Sequence, residues 1–556
     1  MRPEPGFVRS GRLLRIPLLA CLVTLLLYVG LISAMAGNGP LARFGSQALY
    51  LSNSGHAHAA PPADEGNGDN VDNGGNHNAG SNSNDIVDSS NGGSGDGKGN
   101  KKEKWEGAVI TYPSTLLGIW TIRIEDGSEL TVTVDAATRF HPSTRDGIQV
   151  EDWVEVKGVQ QPGGGILAER IRKEEYEAGE IVVRLADPSV AATIAEKYDL
   201  QLKSNLLISA NIYLFVTDDE DEPNVIERIK SEPGVIWAEV NYVNSMPEDD
   251  GYKTWAWGGV LQPPDYVNQM AYQQIRWGQT SRSYQGEGVV VAVLDTGIYT
   301  PHEQFVGKLQ LPSLDVVGDD MDPSDVGPGA AWGHGTHVAG IIAAMAPAAK
   351  LLPVRVLDAN GRGNTFLLSY AIEWASQQPG VEVINLSLGT PYDSRILREV
   401  IANVLAQDIV VVAAAGNDGV QTVQFPAGYP EVVGVTALDG NNQKPEFANY
   451  GNGWIDLAAP GVGIMSTMIS EQGVGYASWS GTSMATAFVS AAAVLVEGQA
   501  LALGSPNEPV GGHLFNTGVI VDSLNPTYAG QLGRLLNVSA ALSVHEMILY
   551  IPYSRR

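Results

Sequence analysis

Five nearly continuous aliphatic runs constrain this chain more than any other feature. They are Val289 to Leu294, Leu351 to Val356, Val381 to Leu386, Ile409 to Ala414 and Val432 to Val435. Each has the length of one strand, and none shows the polar alternation of a half-exposed strand, so each is predicted to be buried on both faces. Stretches of helical periodicity run from about His334 to Met345, Thr365 to Ala375, Ser394 to Ala406 and Ser483 to Glu497. Strand and helix in turn predict a parallel sheet covered by helices, an α/β architecture. Ligands of such sheets bind beyond the carboxyl ends of the strands, so the polar residues closing the runs are the ones to inspect.

Three short signatures stand at those positions. Asp295-Thr296-Gly297 closes the first run, His334-Gly335-Thr336-His337-Val338-Ala339-Gly340 opens one helix, and Gly481-Thr482-Ser483-Met484-Ala485 opens another. A serine hydroxyl is a weak nucleophile until a histidine takes its proton, and that histidine needs an acid to fix its tautomer. Alone, a strand ending in Asp-Thr-Gly is commonplace and a serine at a helix start is an N-cap. Together, in the order Asp, His, Ser, they point to nucleophilic acyl transfer. Ala413-Ala414-Ala415-Gly416-Asn417 ends another run with a side-chain amide, a donor suited to a developing oxyanion.

From about Tyr266 to Leu542 these motifs resemble the subtilase (S8, subtilisin-like) family. The resemblance implies a serine endopeptidase. Asp295 would orient His334, His334 would act as general base and then acid, Ser483 would be the nucleophile, and Asn417 would supply an oxyanion donor beside the Ser483 N–H. His337, one turn after His334, would be structural. Leu386-Ser387-Leu388-Gly389 and Gly361-Arg362-Gly363 resemble the two edges between which a substrate lies as an added strand, with Ser387, Leu388, Gly389, Gly361 and Gly363 at the peptide. Main-chain recognition implies broad specificity. Val420 to Phe425, expected beneath the P1 pocket, departs from the family pattern, so P1 preference stays open. Ala487 stands where the family has proline, and the short passage Ala346-Pro347 leaves no room for the family's calcium-binding loop. The acidic stretch with Asp319, Asp320 and Asp322 offers weak calcium candidates, with a solvated loop as the alternative; the chemistry itself needs no cofactor.

The upstream chain divides by composition. Arg2, Arg9, Arg12 and Arg15 precede the uncharged run 16–36, which ends Ala34-Met35-Ala36. These are the parts of a secretory signal peptide, and a retained membrane anchor is the alternative. Residues 37–104 are Gly/Asn/Ser-rich and too poor in apolar side chains to order, a linker in which His56, His58 and His77 read as solvated. Residues 105–175 carry several short strands and resemble a small OB-like β-barrel, predicted to be a spacer or docking module. Residues 176–247 read β-α-β-β-α-β, a ferredoxin-like α+β order. They resemble an I9-type propeptide, which would chaperone folding and then inhibit. The subtilisin-like peptidase domain is assigned to 248–556, with its closing turn at Gly533 to Leu542 and no accessory domain after it.

Charge bounds the partners. With 34 Lys+Arg against 62 Asp+Glu, the net charge of −28 argues against nucleic acid. The sole cysteine, Cys21, lies in the leader, so no disulfide framework supports the rest. The expected protein is a monomeric, secreted zymogen acting on polypeptides and inhibited by its own propeptide, touching a membrane only if the leader is retained. A membrane-anchored processing protease and a catalytically silent, subtilase-shaped binding protein are the other two readings.

Overall fold

A computed structural model describes residues 103–549, apart from 125–127, 141–147, 149, 151–152, 162–163, 174, 219–221, 249–253, 259–262, 281–283 and 505–508. The leader, nearly all of the 37–104 linker, and the residue pairs Asp126-Gly127 and Pro162-Gly163, whose types predict turns between strands, lie outside the described residues.

Six strands come first: β1 (Glu103–Thr111), β2 (Gly118–Ile124), β3 (Glu129–Val134), β4 (Arg139–Phe140), β5 (Trp153–Gln160) and β6 (Ile166–Lys173). They pair in the order β3-β2-β1-β5-β6-β4, and a parallel β3–β6 pairing joins the two sides into a closed barrel. Alternate residues Trp120, Ile122, Val132, Val154, Val156 and Ile171 fill its interior. Closure removes the exposed edges that a sheet this small would otherwise present.

The chain continues through β7 (Tyr176–Leu185), α1 (Ala191–Tyr198), β8 (Gln201–Ser204), β9 (Ile212–Val216), α2 (Glu222–Ile229) and β10 (Val235–Ser245). The strands form one antiparallel sheet in the order β10-β7-β9-β8. Its two faces bury different partners, as the period of two along a strand requires. Ile181, Val183, Leu185 and Phe215 pack under α1 and α2 through Ile194, Val225, Ile226 and Ile229. Val182, Ile212, Leu214 and Trp237 on the other face meet Phe366 and Ile396 of the following domain. That is why Ile181-Val182-Val183 reads as a continuous apolar run.

After β11 (Thr254–Gly258), α3 (Pro264–Asn268) and α4 (Met270–Gln274), the main sheet begins. Its strands are β12 (Val290–Asp295), β13 (Leu314–Asp315), β14 (Lys350–Arg355), β16 (Val381–Leu386), β17 (Val410–Ala414), β18 (Val433–Leu438), β19 (Leu457–Pro460) and β22 (Arg534–Leu535). They run in the order β13-β14-β12-β16-β17-β18-β19-β22, all parallel. Every residue of β12 is buried, as a strand covered on both faces must be. The covering helices are α5 (His334–Met345), α6 (Thr365–Ser376), α7 (Arg395–Leu405) and α8 (Thr482–Leu503); α5 packs on α8, and α6 on α7. Helix α8 is long and apolar enough to cross a bilayer, yet most of it lies inside the protein, which accounts for its all-round hydrophobicity. A hairpin of β20 (Ile464–Ser470) and β21 (Gly473–Trp479) flanks α5, with β11 added at its edge. The remaining short elements are β15 (Arg362–Asn364), α9 (Val510–Thr517) and α10 (Val538–Leu549).

Helix N-termini carry much of the seam between the 176–245 sheet and the main domain. Glu239 of β10 accepts from the Arg395 and Ile396 N–H groups and from Ser394 Oγ, capping α7. Asn241 accepts from the Phe366 N–H, at the first turn of α6. Replacing Phe366 by alanine is expected to weaken this seam by about 3–5 kcal/mol, because the ring is fully buried there. Hydrogen exchange of β7 and β10 in the full-length chain is the measurement; protection unchanged by the substitution would refute the packing described.

Candidate active site

The polar groups closing β12 and opening α5 meet in the core. Asp295 and His334 are both fully buried, with His334 Nδ1 2.7 Å from Asp295 Oδ1. The Thr296 N–H donates to the same oxygen at 2.7 Å. Gly335 makes the approach possible: a Cβ there would lie 2.1 Å from the Gly297 carbonyl oxygen and 3.0 Å from Asp295 Oδ1. Trp479 of β21 stands edge-on to the His334 ring, with centroids 5.2 Å apart. His337 takes no part in this group; its Nε2 lies 3.1 Å from the Ile464 and Ala477 carbonyl oxygens, tying α5 to the β20–β21 hairpin.

Ser483 is the second residue of α8, and Asn417 follows the end of β17. The Thr482 N–H donates to Asn417 Oδ1 at 3.0 Å, which turns Asn417 Nδ2 toward the Ser483 N–H. Those two donors meet on one oxygen, Glu248 Oε1, at 3.1 and 3.0 Å. Its other oxygen, Oε2, accepts from Ser483 Oγ at 2.7 Å and lies 2.9 Å from His334 Nε2. A carboxylate oxygen therefore bridges Ser483 and His334. Burial alone would lower the His334 pKa, but the carboxylates of Asp295 and Glu248 outweigh it and raise it to about 10, so the ring is an imidazolium donating from both nitrogens.

The strand edges expected to hold substrate hold part of this chain. Beyond the 176–245 sheet, β10 pairs antiparallel with β15, Val243 opposite Asn364 and Asn244 opposite Gly363. Met246 donates to the Gly361 carbonyl at 2.9 Å, and Ser245 exchanges two bonds with Gly389, each 2.9 Å. Gly361, at φ 78°, also leaves space that Met246 fills, since a Cβ there would stand 2.6 Å from Met246 Cγ. Ser387 binds the Ser483 carbonyl through Oγ at 3.3 Å, Leu388 is buried, and Thr390 pairs with Phe425 of the 420–425 segment.

The acidic stretch divides in two. Asp315 pairs with Arg355 at 2.9 Å, Asp320 accepts from the Asp322 N–H, and Asp322 accepts from Ser324, so these carboxylates brace turns. Asp319, Asp320 and Asp322 are not drawn into a ligand set; among the described residues no group of three His, Cys, Asp or Glu is arranged to hold a metal. Asp325, next along the sequence after this stretch, is buried instead. Its Oδ2 accepts from Thr336 N and Oγ1, at 3.1 and 2.7 Å, and its Oδ1 accepts from Gly333 N at 3.1 Å and Thr296 Oγ1 at 3.3 Å. Burial pushes its carboxyl up to about 7 against the lowering effect of the bonds from Thr336 and Gly333.

Sequence reasoning missed two members of this centre. Asp325 stands nine positions before His334, outside the histidine motif. Glu248 opens the acidic run Glu248-Asp249-Asp250 at the domain boundary, which carries no motif that would single it out.

An α/β sheet that gathers Asp, His and Ser around a two-donor anion site defines the class of serine hydrolases. Residues 286–528 match the Subtilase family, and residues 118–172 match a domain of unknown function, DUF5666. Subtilisin BL of Lederbergia lenta is 38% identical over 287 residues, 48% of this chain and 99% of that protein. The thermophilic serine proteinase of Bacillus sp. (strain AK1) is 34% identical over 374 residues, 64% of this chain and 84% of that protein. Fervidolysin of Fervidobacterium pennivorans, a keratinolytic enzyme related to subtilisin, superimposes with a TM-score of 0.55 at 23% identity over 66% of this chain and 61% of its own. The chain belongs to the subtilase family and is a serine endopeptidase, a class whose catalysis needs no cofactor.

Replacing Asp325 by alanine leaves four donors without their acceptor, three at the start of α5 and the Thr296 hydroxyl just past β12. The expected result is a loss of about 2–3 kcal/mol in stability by thermal or denaturant unfolding. A fall in kcat with KM little changed should accompany it, because the loosened element carries His334 and not the substrate edges.

Proposed function

We propose that this protein is a secreted endopeptidase made as a zymogen, cleaving polypeptides through an acyl-enzyme on Ser483. In this reading His334 takes the Ser483 proton and returns it to the leaving amine. Asp295 holds the His334 tautomer and stabilises its charged form. Asn417 Nδ2 and the Ser483 N–H receive the oxyanion, at the N-terminus of α8 where the helix dipole favours negative charge. Carbonyls and N–H groups of Gly361, Gly363 and Ser387 to Gly389 hold the substrate as an added strand, which supports broad specificity.

The observation that carries the reading is the convergence of Asn417 Nδ2, the Ser483 N–H, Ser483 Oγ and His334 Nε2 on a single carboxylate, each within 3.1 Å. A carboxylate has the size and charge of the group that peptide cleavage produces there. Residues 176–247 supply the inhibitory part. Their sheet is capped onto α6 and α7, and their last strand already fills the substrate edges. The Arg-flanked leader supports secretion, and residues 37–104 would tether the barrel and the rest of the chain to it.

The test compares the secreted full chain with its Ser483→Ala variant. The wild type is expected to shorten itself between Val243 and Tyr272 and then to hydrolyse unfolded protein. The variant should stay full length and cleave nothing. A wild type that folds, stays intact and cleaves nothing would overturn the zymogen reading, and amino-terminal sequencing of the shortened product locates the bond.

A further inference from the structure

Glu248 occupies the centre of the site in the uncut chain without being held as a substrate residue. Its side chain is fully buried, and all four of its partners are groups of the reaction centre. Gly481 provides the space: a Cβ at that position would stand 1.9 Å from Glu248 Oε1 and 2.6 Å from its carboxyl carbon. Ser245 pairs with Gly389, so extending the antiparallel register two places brings Pro247 opposite Ser387, and proline has no N–H to give that carbonyl. Ser483 Oγ approaches the Ser387 carbonyl instead, at 3.2 Å.

We propose that Glu248 is a latch: its side-chain carboxylate fills the anion site of the uncut chain and separates nucleophile from base, so self-cleavage starts only when that carboxylate leaves. The inference rests on the zymogen reading above and names the device that holds the precursor inactive. Three physical effects act together. The oxyanion donors are satisfied by a full negative charge, so a neutral peptide carbonyl competes poorly for them. A carboxylate carbon is a weak electrophile, so Ser483 beside it forms no acyl-enzyme. With carboxylates at both ring nitrogens, His334 keeps its proton and has no lone pair for the Ser483 hydroxyl. Displacement returns the second carboxylate to water and frees Nε2 to act as a base.

The test uses the full chain as wild type, Glu248→Gln and Glu248→Ala, following self-shortening after dilution from denaturant by gel and mass spectrometry. Losing one charge-assisted contact corresponds to about a tenfold effect, so both variants are expected to shorten about tenfold faster or more, Glu248→Ala at least as fast as Glu248→Gln. Equal or slower shortening overturns the latch. A second measurement does not depend on which bond is cut. In the same chains carrying Ser483→Ala, titration of 15N-labelled histidine should find His334 charged to about pH 10 with Glu248 present, and at least about one pH unit lower with glutamine. An unchanged titration also overturns the proposal. A wild type that never shortens and hydrolyses nothing sinks the zymogen reading instead, and the histidine titration still reports on the Glu248 contact by itself.

Discussion

A carboxylate and an imidazole, both fully shielded from water and 2.7 Å apart, are the constraint from which the catalytic half of this protein is built. Such a pair is tolerable in the interior only if its remaining groups are bonded and its geometry is held. The surroundings supply most of that support, with Asp295 Oδ2 left as a buried oxygen without a hydrogen-bond partner. The Thr296 N–H donates to Asp295, and the Thr296 hydroxyl accepts from the Gly335 N–H at 2.9 Å, stitching the end of β12 to the start of α5. Asp325 gathers the next donors of the same helix start. Trp479 closes the ring on one side, and Gly335 supplies the absence of a side chain that lets the two backbones touch. The strand end and helix start are thus parts of one bonded unit, and the parallel register of β12 against β14 and β16 fixes where that unit lies.

The same chemistry of helix starts serves a second purpose on the other side of the molecule. Glu239 and Asn241 leave one strand two residues apart, on the same face, and reach the N-termini of α7 and α6. Backbone N–H groups at a helix start need acceptors, and here another part of the chain provides them. The strand that carries these caps then runs on as the strand between Gly361–Asn364 and Gly389. Docking of the 176–245 sheet and occupancy of the cleft are therefore coupled through β10. A force that lifts one end strains the other.

What the sequence discloses and what it hides follow from the range of the interactions. The aliphatic runs disclose β12, β14, β16, β17 and β18 because burial on both faces imposes a local pattern. Strands β19 and β22 escape notice because four and two residues carry no period, and they exist only as additions to an edge already formed. Asp295, His334, Asn417 and Ser483 are legible because each sits within a short motif shaped by tight backbone geometry. Asp325 and Glu248 are illegible for a shared reason: an acidic residue in an acidic stretch has no local mark distinguishing a solvated carboxylate from one bonded in the core. Glu248 reaches its partners across 86 to 235 positions of sequence, so only the folded register reveals it.

The alanine at 487 shows how much freedom the centre retains. Proline at that place in a helix would lack the N–H that reaches back to the Ser483 carbonyl. In this chain α8 continues unbroken from Thr482, so the alanine N–H is available to that carbonyl, which also accepts from Ser387 Oγ at 3.3 Å. Ser387 is in turn bonded by Asn385, and Asn385 by Ser490, about two turns after Ser483 along α8. The start of α8 is thereby anchored to the carboxyl end of β16 by side chains that do not depend on the residue at 487. What must stay fixed is the direction of Ser483 Oγ and its N–H relative to Asn417 and His334. That direction is set by the glycine before the helix, the Thr482–Asn417 bond and the Ser387 contact, none of which involves the side chain at 487.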